Sequence, residues 1–250
     1  MNPLDFRLLQ IIGQLTARTC LLTFLVGNYL FFTTAYAQEM PKKMNVTKYY
    51  QSHLRPGFTD GFDSTGYTIL ATGAALSLVA KQYDEKVKRY FNKKQRLSPS
   101  VTDFGNSFGT RYVNVLVAAI QMIWDRSNGL SHIEGLLGTT VMVLAAKKSV
   151  HRTRPNGENE DSFPSGHSSI AFTSSGSLSY AYGWKAAVPA YSLTTLTLLA
   201  RLQDNKHWLS DVVMATSIGV FWARASGIHH NYLSPIILKK GGGIQFTLPF

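Results

Sequence analysis

The sequence predicts an all-α fold, a bundle of about six helices. Long apolar stretches alternate with short polar joints from residue 64 onward. Each stretch is too long for a typical strand and lacks the alternating pattern of a half-buried strand. Helices of this length pack as a bundle. The stretches cover residues 64–81, 107–126, 130–148, 165–182, 186–203 and 207–226.

Composition narrows the class of protein. The chain has 250 residues, of which 45% are hydrophobic and 16% charged, and its net charge is +11. There is enough apolar side chain to exclude disorder over most of the chain. The basic excess suits an anionic partner such as nucleic acid, a membrane surface or a phosphate ester. A single cysteine, Cys20, excludes a disulfide framework and a cysteine-based zinc cluster.

Residues 1–37 are predicted to be a secretory signal peptide. Arg7 and Arg18 precede a charge-free stretch, Thr19–Gln38, whose apolar part leads to the small-x-small triplet Ala35-Tyr36-Ala37. An uncleaved anchor is the alternative, because about 20 charge-free residues can just span a bilayer. Export places the protein outside the cytoplasm and makes nucleic acid a poor partner.

The remainder divides into a polar segment (38–63), a helical domain (64–228) and an extended tail (229–250). The longest charge-free stretches, Ser64–Ala80 and Ser168–Trp184, have 17 residues each, whereas a spanning helix needs about 20. A soluble or surface-bound bundle and a short-helix membrane bundle therefore both stay open, and we favour membrane association.

A basic segment, residues 81–96, holds seven Lys or Arg residues against two acids. One interpretation is attachment to anionic lipid headgroups. The other is a solvated helix face, which is the more common role of such a run.

Two blocks indicate an anion site at helix ends. Lys147 and Arg154 are two helical turns apart and share a face if the helix continues until Pro155 stops it. The segment Pro164-Ser165-Gly166-His167 begins an apolar stretch, so Pro164 suits a first helical turn and the following amides point outward. Unpaired amides at a helix start bind phosphate.

A third block is Ala200-Arg201-x5-His207-x3-Asp211. Its spacing places His207 and Asp211 on one helical face, where the carboxylate can accept the Nδ1 proton and leave Nε2 free as a nucleophile. Arg201 adds a third cation. Taken together, three cations, a helix start and two histidines match the needs of a phosphoryl group.

These motifs, Lys-x6-Arg-Pro, Pro-Ser-Gly-His and Arg-x5-His-x3-Asp, resemble the signatures of the type 2 phosphatidic acid phosphatase and vanadium haloperoxidase superfamily in order and spacing. The resemblance implies a helical bundle with the phosphate site at helix ends. It implies that His207 is the nucleophile, that Asp211 orients it and that His167 is the general acid. Its phosphate-binding residues would be Lys147, Arg154, Arg201, Ser165 and Gly166, and no metal or other cofactor is implied.

The resemblance leads us to expect a phosphatase that acts through a phosphohistidine on a lipid phosphate or diphosphate. The predicted export signal and the apolar helices place it at the periplasmic face of a membrane. Phosphatidate-like lipids, isoprenoid diphosphates and lipid A phosphates are candidate substrates. A soluble periplasmic acid phosphatase for small monoesters is the alternative, and a vanadate-dependent haloperoxidase is less favoured. The sequence does not indicate an oligomeric state.

Overall fold

The structure, a computed structural model, describes Thr59, residues 61–227 and the strands at 233–238 and 241–246. The predicted signal peptide, residues 1–37, lies outside the described residues. So does most of the predicted polar segment, residues 38–63.

Eight helices and two strands make up the described part of the chain. The strands are antiparallel and pair Leu233 with Phe246 and Leu238 with Gly241, within the segment for which the sequence predicts an extended tail. The elements are α1 (Ser64–Lys81), α2 (Asp84–Lys93), α3 (Pro99–Phe108), α4 (Arg111–Trp124), α5 (Arg126–Val150), α6 (Gly166–Tyr182), α7 (Trp184–Gln203), α8 (Leu209–Gly227), β1 (Leu233–Leu238) and β2 (Gly241–Phe246).

The predicted all-α fold is confirmed, and each of the six apolar stretches corresponds to a helix. The expected number of about six helices is too low for the described residues, because α2 and α3 do not form long apolar stretches in the sequence. Helix α2 is highly charged and buries only Asp84 and Phe91. Helix α5 also begins earlier than the apolar pattern indicates, because the Asp125 side chain accepts the Asn128 amide at 3.3 Å and caps the helix there.

Helix α8 is the central helix of the bundle. It packs against α1, α5 and α6, and none of its residues is exposed. Its Ile218, Phe221 and Trp222 form a core cluster with Val143 of α5. Arg224 near its end pairs with Asp63, which caps α1, at 2.7 Å. The position of α8 therefore fixes the positions of the helices around it.

Helices α6 and α8 approach each other backbone to backbone. A Cβ atom added at Gly219 would lie 2.7 Å from the Ser169 carbonyl oxygen and 2.4 Å from the Phe172 Cβ atom. A Cβ atom at Gly176 would lie 2.4 Å from the Ala223 Cβ atom. The two helices run in the same direction, so this close packing places their first turns side by side.

Among the described helices, α5 is the one that is long and apolar enough to cross a membrane. Half of the apolar stretch of this helix is buried inside the bundle. Large apolar side chains are nevertheless exposed on the outer faces of several helices. They include Leu76, Leu78, Tyr112, Ile123, Leu137, Val141, Trp184 and Val188.

We expect Gly219→Ala to destabilise the protein by about 1–3 kcal/mol, because the added methyl group meets backbone atoms of α6 that cannot rotate away. The melting temperature should fall by about 2–4 °C for each kcal/mol. Thermal unfolding followed by circular dichroism measures this change. Lys148→Ala, which places alanine at an exposed position of α5, is the control and should leave the melting temperature nearly unchanged. Equal melting temperatures for both variants would contradict the close contact.

Candidate active site

Helix α5 ends before the second cation of the first motif. The last helical residue is Val150, and His151 follows in the left-handed region with φ of 46°. The chain turns there, so the prediction that Lys147 and Arg154 share a helical face, with Pro155 ending the helix, is wrong. The left-handed conformation of His151 could not be predicted from the sequence, because it leaves no trace in the periodic pattern of apolar residues.

Hydrogen bonds of the loop 151–165 hold the two cations in place instead. The Lys147 ammonium group donates to the backbone carbonyl of Asp161. The Arg154 guanidinium donates through Nε to Asn159 Oδ1 at 2.7 Å and through an Nη atom to the Lys206 carbonyl at 3.2 Å. The second contact joins the loop after α5 to the loop before α8.

Arg201 reaches the same region from the end of α7. It is 8% exposed, and one of its Nη atoms donates to Asn106 Oδ1 at 2.9 Å. Asn106 in turn donates to Asp204 at 2.7 Å. The Arg201 Nε atom is buried without an acceptor among the described residues. Burial, followed by the charge of Arg154, lowers the pKa of Arg201 to about 10. Because the two cations repel each other, an anion between them would be stabilised.

The start of α6 presents free backbone amides. Ser165 is the N-cap, so Pro164 lies before the cap and not in the first turn as predicted. The Ser165 amide donates to the Asp211 carbonyl at 3.3 Å and is not free for a ligand. The amides of Gly166 and His167 have no acceptor among the described residues. A Cβ atom at Gly166 would meet only a Val143 methyl group, at 3.8 Å, so the space beside this helix start is open.

His207 lies in the loop before α8 and is 3% exposed. Its Nδ1 atom is 2.7 Å from the Ser162 carbonyl oxygen. A carbonyl only accepts hydrogen bonds, so the proton is on Nδ1 and the Nε2 atom carries the free electron pair. The Asp211 carboxylate is 3.7 Å from Nδ1, which is too far for a hydrogen bond. The predicted direct His207–Asp211 hydrogen bond is therefore replaced by one to the Ser162 backbone.

Asp211 acts on the imidazole indirectly, through Ser162. Its fully buried carboxylate accepts hydrogen bonds from Ser162 Oγ at 2.5 Å, the Trp208 amide at 2.8 Å and the Arg152 guanidinium at 2.6 Å. Burial tends to raise the pKa of Asp211, but the neighbouring His207 and these donors lower it on balance. The carboxylate is thus ionised and holds both the loop that contains Ser162 and the loop that carries His207.

His167, in the first turn of α6, is half-buried beside the junction of α3 and α4. A Cβ atom at Gly109 would be 2.9 Å from the His167 Cβ atom. Burial, followed by the charges of Arg201 and His207, lowers the pKa of His167 to about 3. Burial also lowers the pKa of His207, to about 4. Both imidazoles are therefore neutral near pH 7 when no anion is bound.

The structure brings the sequence-predicted residues into one site at the helix ends. We call Lys147, Arg154, Arg201 and the amides of Gly166 and His167 the oxyanion site. Its donors suit a tetrahedral oxyanion, and the adjacent neutral imidazoles can attack it or transfer a proton. Among the described residues, no three His, Cys, Asp or Glu side chains lie close enough together to share a metal ion.

Four residues of this region were not found from the sequence. Ser162 contributes a backbone carbonyl, which no sequence motif can show. Arg152, Asp84 and Asn106 orient charged groups of the site, although none of them is a defining residue of a motif. Arg152 lies within the first motif, and its charge beside a buried aspartate becomes visible only once the loop has folded.

The motif-bearing part of this helical bundle, residues 128–233, matches the sequence model of the PAP2 superfamily. This match confirms the resemblance drawn from the three motifs. The match covers all three motifs and helices α6, α7 and α8.

Two curated relatives share part of the chain. A lipid A 1-phosphatase of Porphyromonas gingivalis is 35% identical over 130 residues, which are 50% of this chain and 28% of the relative. A lipid A 4'-phosphatase of Helicobacter pylori is 27% identical over 120 residues, which are 43% of this chain and 61% of the relative. The aligned part of the chain thus spans less than two thirds of either relative.

Two solved structures share the fold. LpxE of Aquifex aeolicus superposes with a TM-score of 0.51 at 22% identity, over 57% of this chain and 93% of that chain. A transmembrane PAP2-type phosphatidylglycerolphosphate phosphatase of Bacillus subtilis superposes with a TM-score of 0.52 at 17% identity, over 64% of this chain and 91% of that chain. At these identities the likeness extends to the fold.

We expect Arg154→Gln and Arg201→Gln each to weaken binding of orthovanadate, a phosphate analogue, by about 10- to 150-fold, because a hydrogen bond to a charged group contributes about 1.5–3 kcal/mol. Isothermal titration calorimetry on folded, purified variants measures the affinity. Arg126→Gln, at the exposed start of α5 and far from Lys147, is the matched control. Unchanged affinity in both site variants would show that these arginines do not line an oxyanion site.

Proposed function

We propose that the protein is a phosphatase that hydrolyses a lipid phosphate through a phosphohistidine on His207. The observation that carries this proposal is the hydrogen bond from His207 Nδ1 to the Ser162 carbonyl, 2.7 Å long. It leaves the Nε2 electron pair available in a site built for a tetrahedral anion. The two curated relatives are both named lipid A phosphatases, which supports the same reaction class.

Substrate binding uses the oxyanion site. Lys147, Arg154 and Arg201 neutralise the equatorial oxygens of the phosphoryl group, whose charge spreads over those atoms in the transition state. The start of α6 contributes amide donors, and the Ser165 side chain holds that turn by accepting the Ser168 amide at 3.4 Å. Ser165 therefore supports the site through its side chain, and the Gly166 and His167 amides point to the ligand.

The first chemical step forms a bond between His207 Nε2 and phosphorus and breaks the bond from phosphorus to the leaving oxygen. The imidazole becomes positively charged, and the Ser162 carbonyl and the nearby Asp211 carboxylate stabilise that charge. His167 gives a proton to the leaving oxygen. Burial, followed by the charge of Arg201, lowers the pKa of His167. A bound phosphate dianion attracts the protonated imidazole and opposes both effects, so substrate binding favours the protonated acid.

The second step is hydrolysis of the phosphohistidine. Neutral His167 accepts a proton from a water molecule, and the water oxygen attacks phosphorus. The bond from phosphorus to Nε2 breaks, which restores neutral His207 and releases phosphate. The same residue thus serves as acid and then as base.

The surface of the bundle favours a lipid substrate over a small monoester. Large exposed apolar side chains lie on α1, α4, α5 and α7, and large exposed apolar surfaces mark sites of membrane or protein interaction. The basic face of α2 adds attraction for anionic headgroups. We therefore propose that residues 64–228 form a membrane-associated catalytic domain. We also propose that residues 1–37 export it, which puts the site at the periplasmic face.

We expect His207→Ala to reduce turnover by about 10⁴-fold or more, because it removes the attacking nitrogen. Asp211→Asn should slow turnover less, since it leaves that nitrogen in place. Rapid quenching with ³²P-labelled substrate should trap acid-labile, base-stable label on the wild-type chain and none on His207→Ala. His151→Asn is the control, because His151 is exposed and asparagine tolerates its left-handed backbone. An active His207→Ala variant would refute this nucleophile.

We expect the protein to sediment with membranes and to hydrolyse long-chain phosphates faster than glycerol phosphate. Each buried CH₂ group contributes about 0.8 kcal/mol, so kcat/KM should rise by at most about fourfold per CH₂ along an alkyl phosphate series. High salt should release only a part of the protein, because salt screens headgroup attraction but not apolar burial. A fully soluble protein with small monoesters as its best substrates would instead identify a soluble acid phosphatase.

A further inference from the structure

Arg152 joins two buried carboxylates through the two Nη atoms of its guanidinium group. One Nη atom lies 2.6 Å from Asp211 Oδ1 and 2.7 Å from Ser210 Oγ. The other Nη atom lies 2.6 Å from Asp84 Oδ2. The side chains of Asp211 and Asp84 are 0% and 6% exposed, and that of Arg152 is 21% exposed. Hydrogen bonds between charged groups are shorter and stronger than hydrogen bonds between neutral groups.

Asp84 fixes the outer end of this arrangement. Besides Arg152, it accepts the Ser210 amide at 2.9 Å and the Ser210 hydroxyl at 2.7 Å. Ser210 precedes Asp211 in the first turn of α8. A single carboxylate at the start of α2 therefore holds both the arginine and the helix turn that carries Asp211.

The inner end of the arrangement reaches the proposed nucleophile. Asp211 Oδ2 accepts the Ser162 hydroxyl, and the Ser162 carbonyl accepts the His207 Nδ1 proton. The ring of Trp208, the residue after His207, lies 5.2 Å from the Lys88 ammonium and 5.4 Å from the Arg152 guanidinium. Both the polar and the aromatic contacts of Arg152 thus act on the loop that carries His207.

We infer that Arg152, anchored by Asp84, is a positioning residue for His207. It fixes the orientation of the Asp211 carboxylate, which holds the Ser162 carbonyl against Nδ1. Arg152 also keeps Asp211 ionised in a buried place, so that the carboxylate can stabilise the imidazolium formed during attack. Its guanidinium is occupied by Asp84, Asp211 and Ser210 and does not bind the phosphate. This inference rests on the proposed function.

The test compares kcat and KM of Arg152 variants on one soluble phosphomonoester and one lipid phosphate in detergent micelles. Arg152→Gln should lower kcat by about 10- to 100-fold, the range for outer residues that orient a reacting group, and should change KM and orthovanadate affinity by less than about threefold. Arg152→Lys should recover part of kcat, since lysine supplies the charge but cannot bridge both carboxylates. Arg126→Gln should behave as the wild type.

Asp84→Asn keeps the inference testable if Arg152→Gln does not fold, because it leaves Arg152 and Asp211 paired. It should lower kcat with KM unchanged. If both variants fold, Asp84→Asn should add little to Arg152→Gln, since residues that act through one another are not additive. Circular dichroism and thermal unfolding verify that each compared variant is folded.

Each outcome separates the inference from the proposed function. An active wild type together with full kcat in folded Arg152→Gln, or in Asp84→Asn if the former does not fold, overturns the inference and leaves the phosphatase intact. A rise in KM with unchanged kcat overturns it as well, because it would place Arg152 on the substrate. A wild type that releases no phosphate from any tested ester overturns both.

Discussion

The buried carboxylate of Asp211 is the constraint on which the site depends. A charge with no solvent exposure needs hydrogen-bond donors on every side, and the chain provides them from two separate segments. Arg152 and Ser162 come from the loop after α5, and Trp208 comes from the loop before α8. The hydrogen bonds to this one carboxylate therefore fix two loops. One carries His207, and the other carries the Ser162 carbonyl that accepts the His207 proton.

The sequence predicts most of the fold because the long helices are apolar over many turns. The helix count is wrong where stability comes from a different source. Helix α2 is charged along most of its length and is held by Asp84 and by Phe91 against Leu202 and Val212. Such tertiary contacts leave no periodic pattern, and the same is true of the early start of α5 at its Asp125 cap.

The candidate site is predictable as a set of residues but not as a geometry. The three motifs identify the cations, the helix start and both histidines, since each residue type is fixed by the charge of a phosphoryl group. The spacing of residues within the motifs does not predict their contacts, because an argument from spacing assumes that the helices are continuous. The left-handed His151 ends α5 early, and His207 precedes α8, so its partner is the Ser162 carbonyl and not the Asp211 carboxylate. Which atoms meet depends on loops that sequence periodicity does not describe.

The open backbone beside Gly166 has a consequence for turnover. The main-chain amides and cations of the oxyanion site recognise the phosphoryl oxygens and not the alcohol attached to them. Inorganic phosphate, the second product of the proposed reaction, presents the same oxygens. The released product therefore competes with the next substrate molecule for the same donors, and only the apolar part of the substrate can tilt that competition. If the protein is the proposed phosphatase, abundant free phosphate would restrain it without any separate inhibitory site.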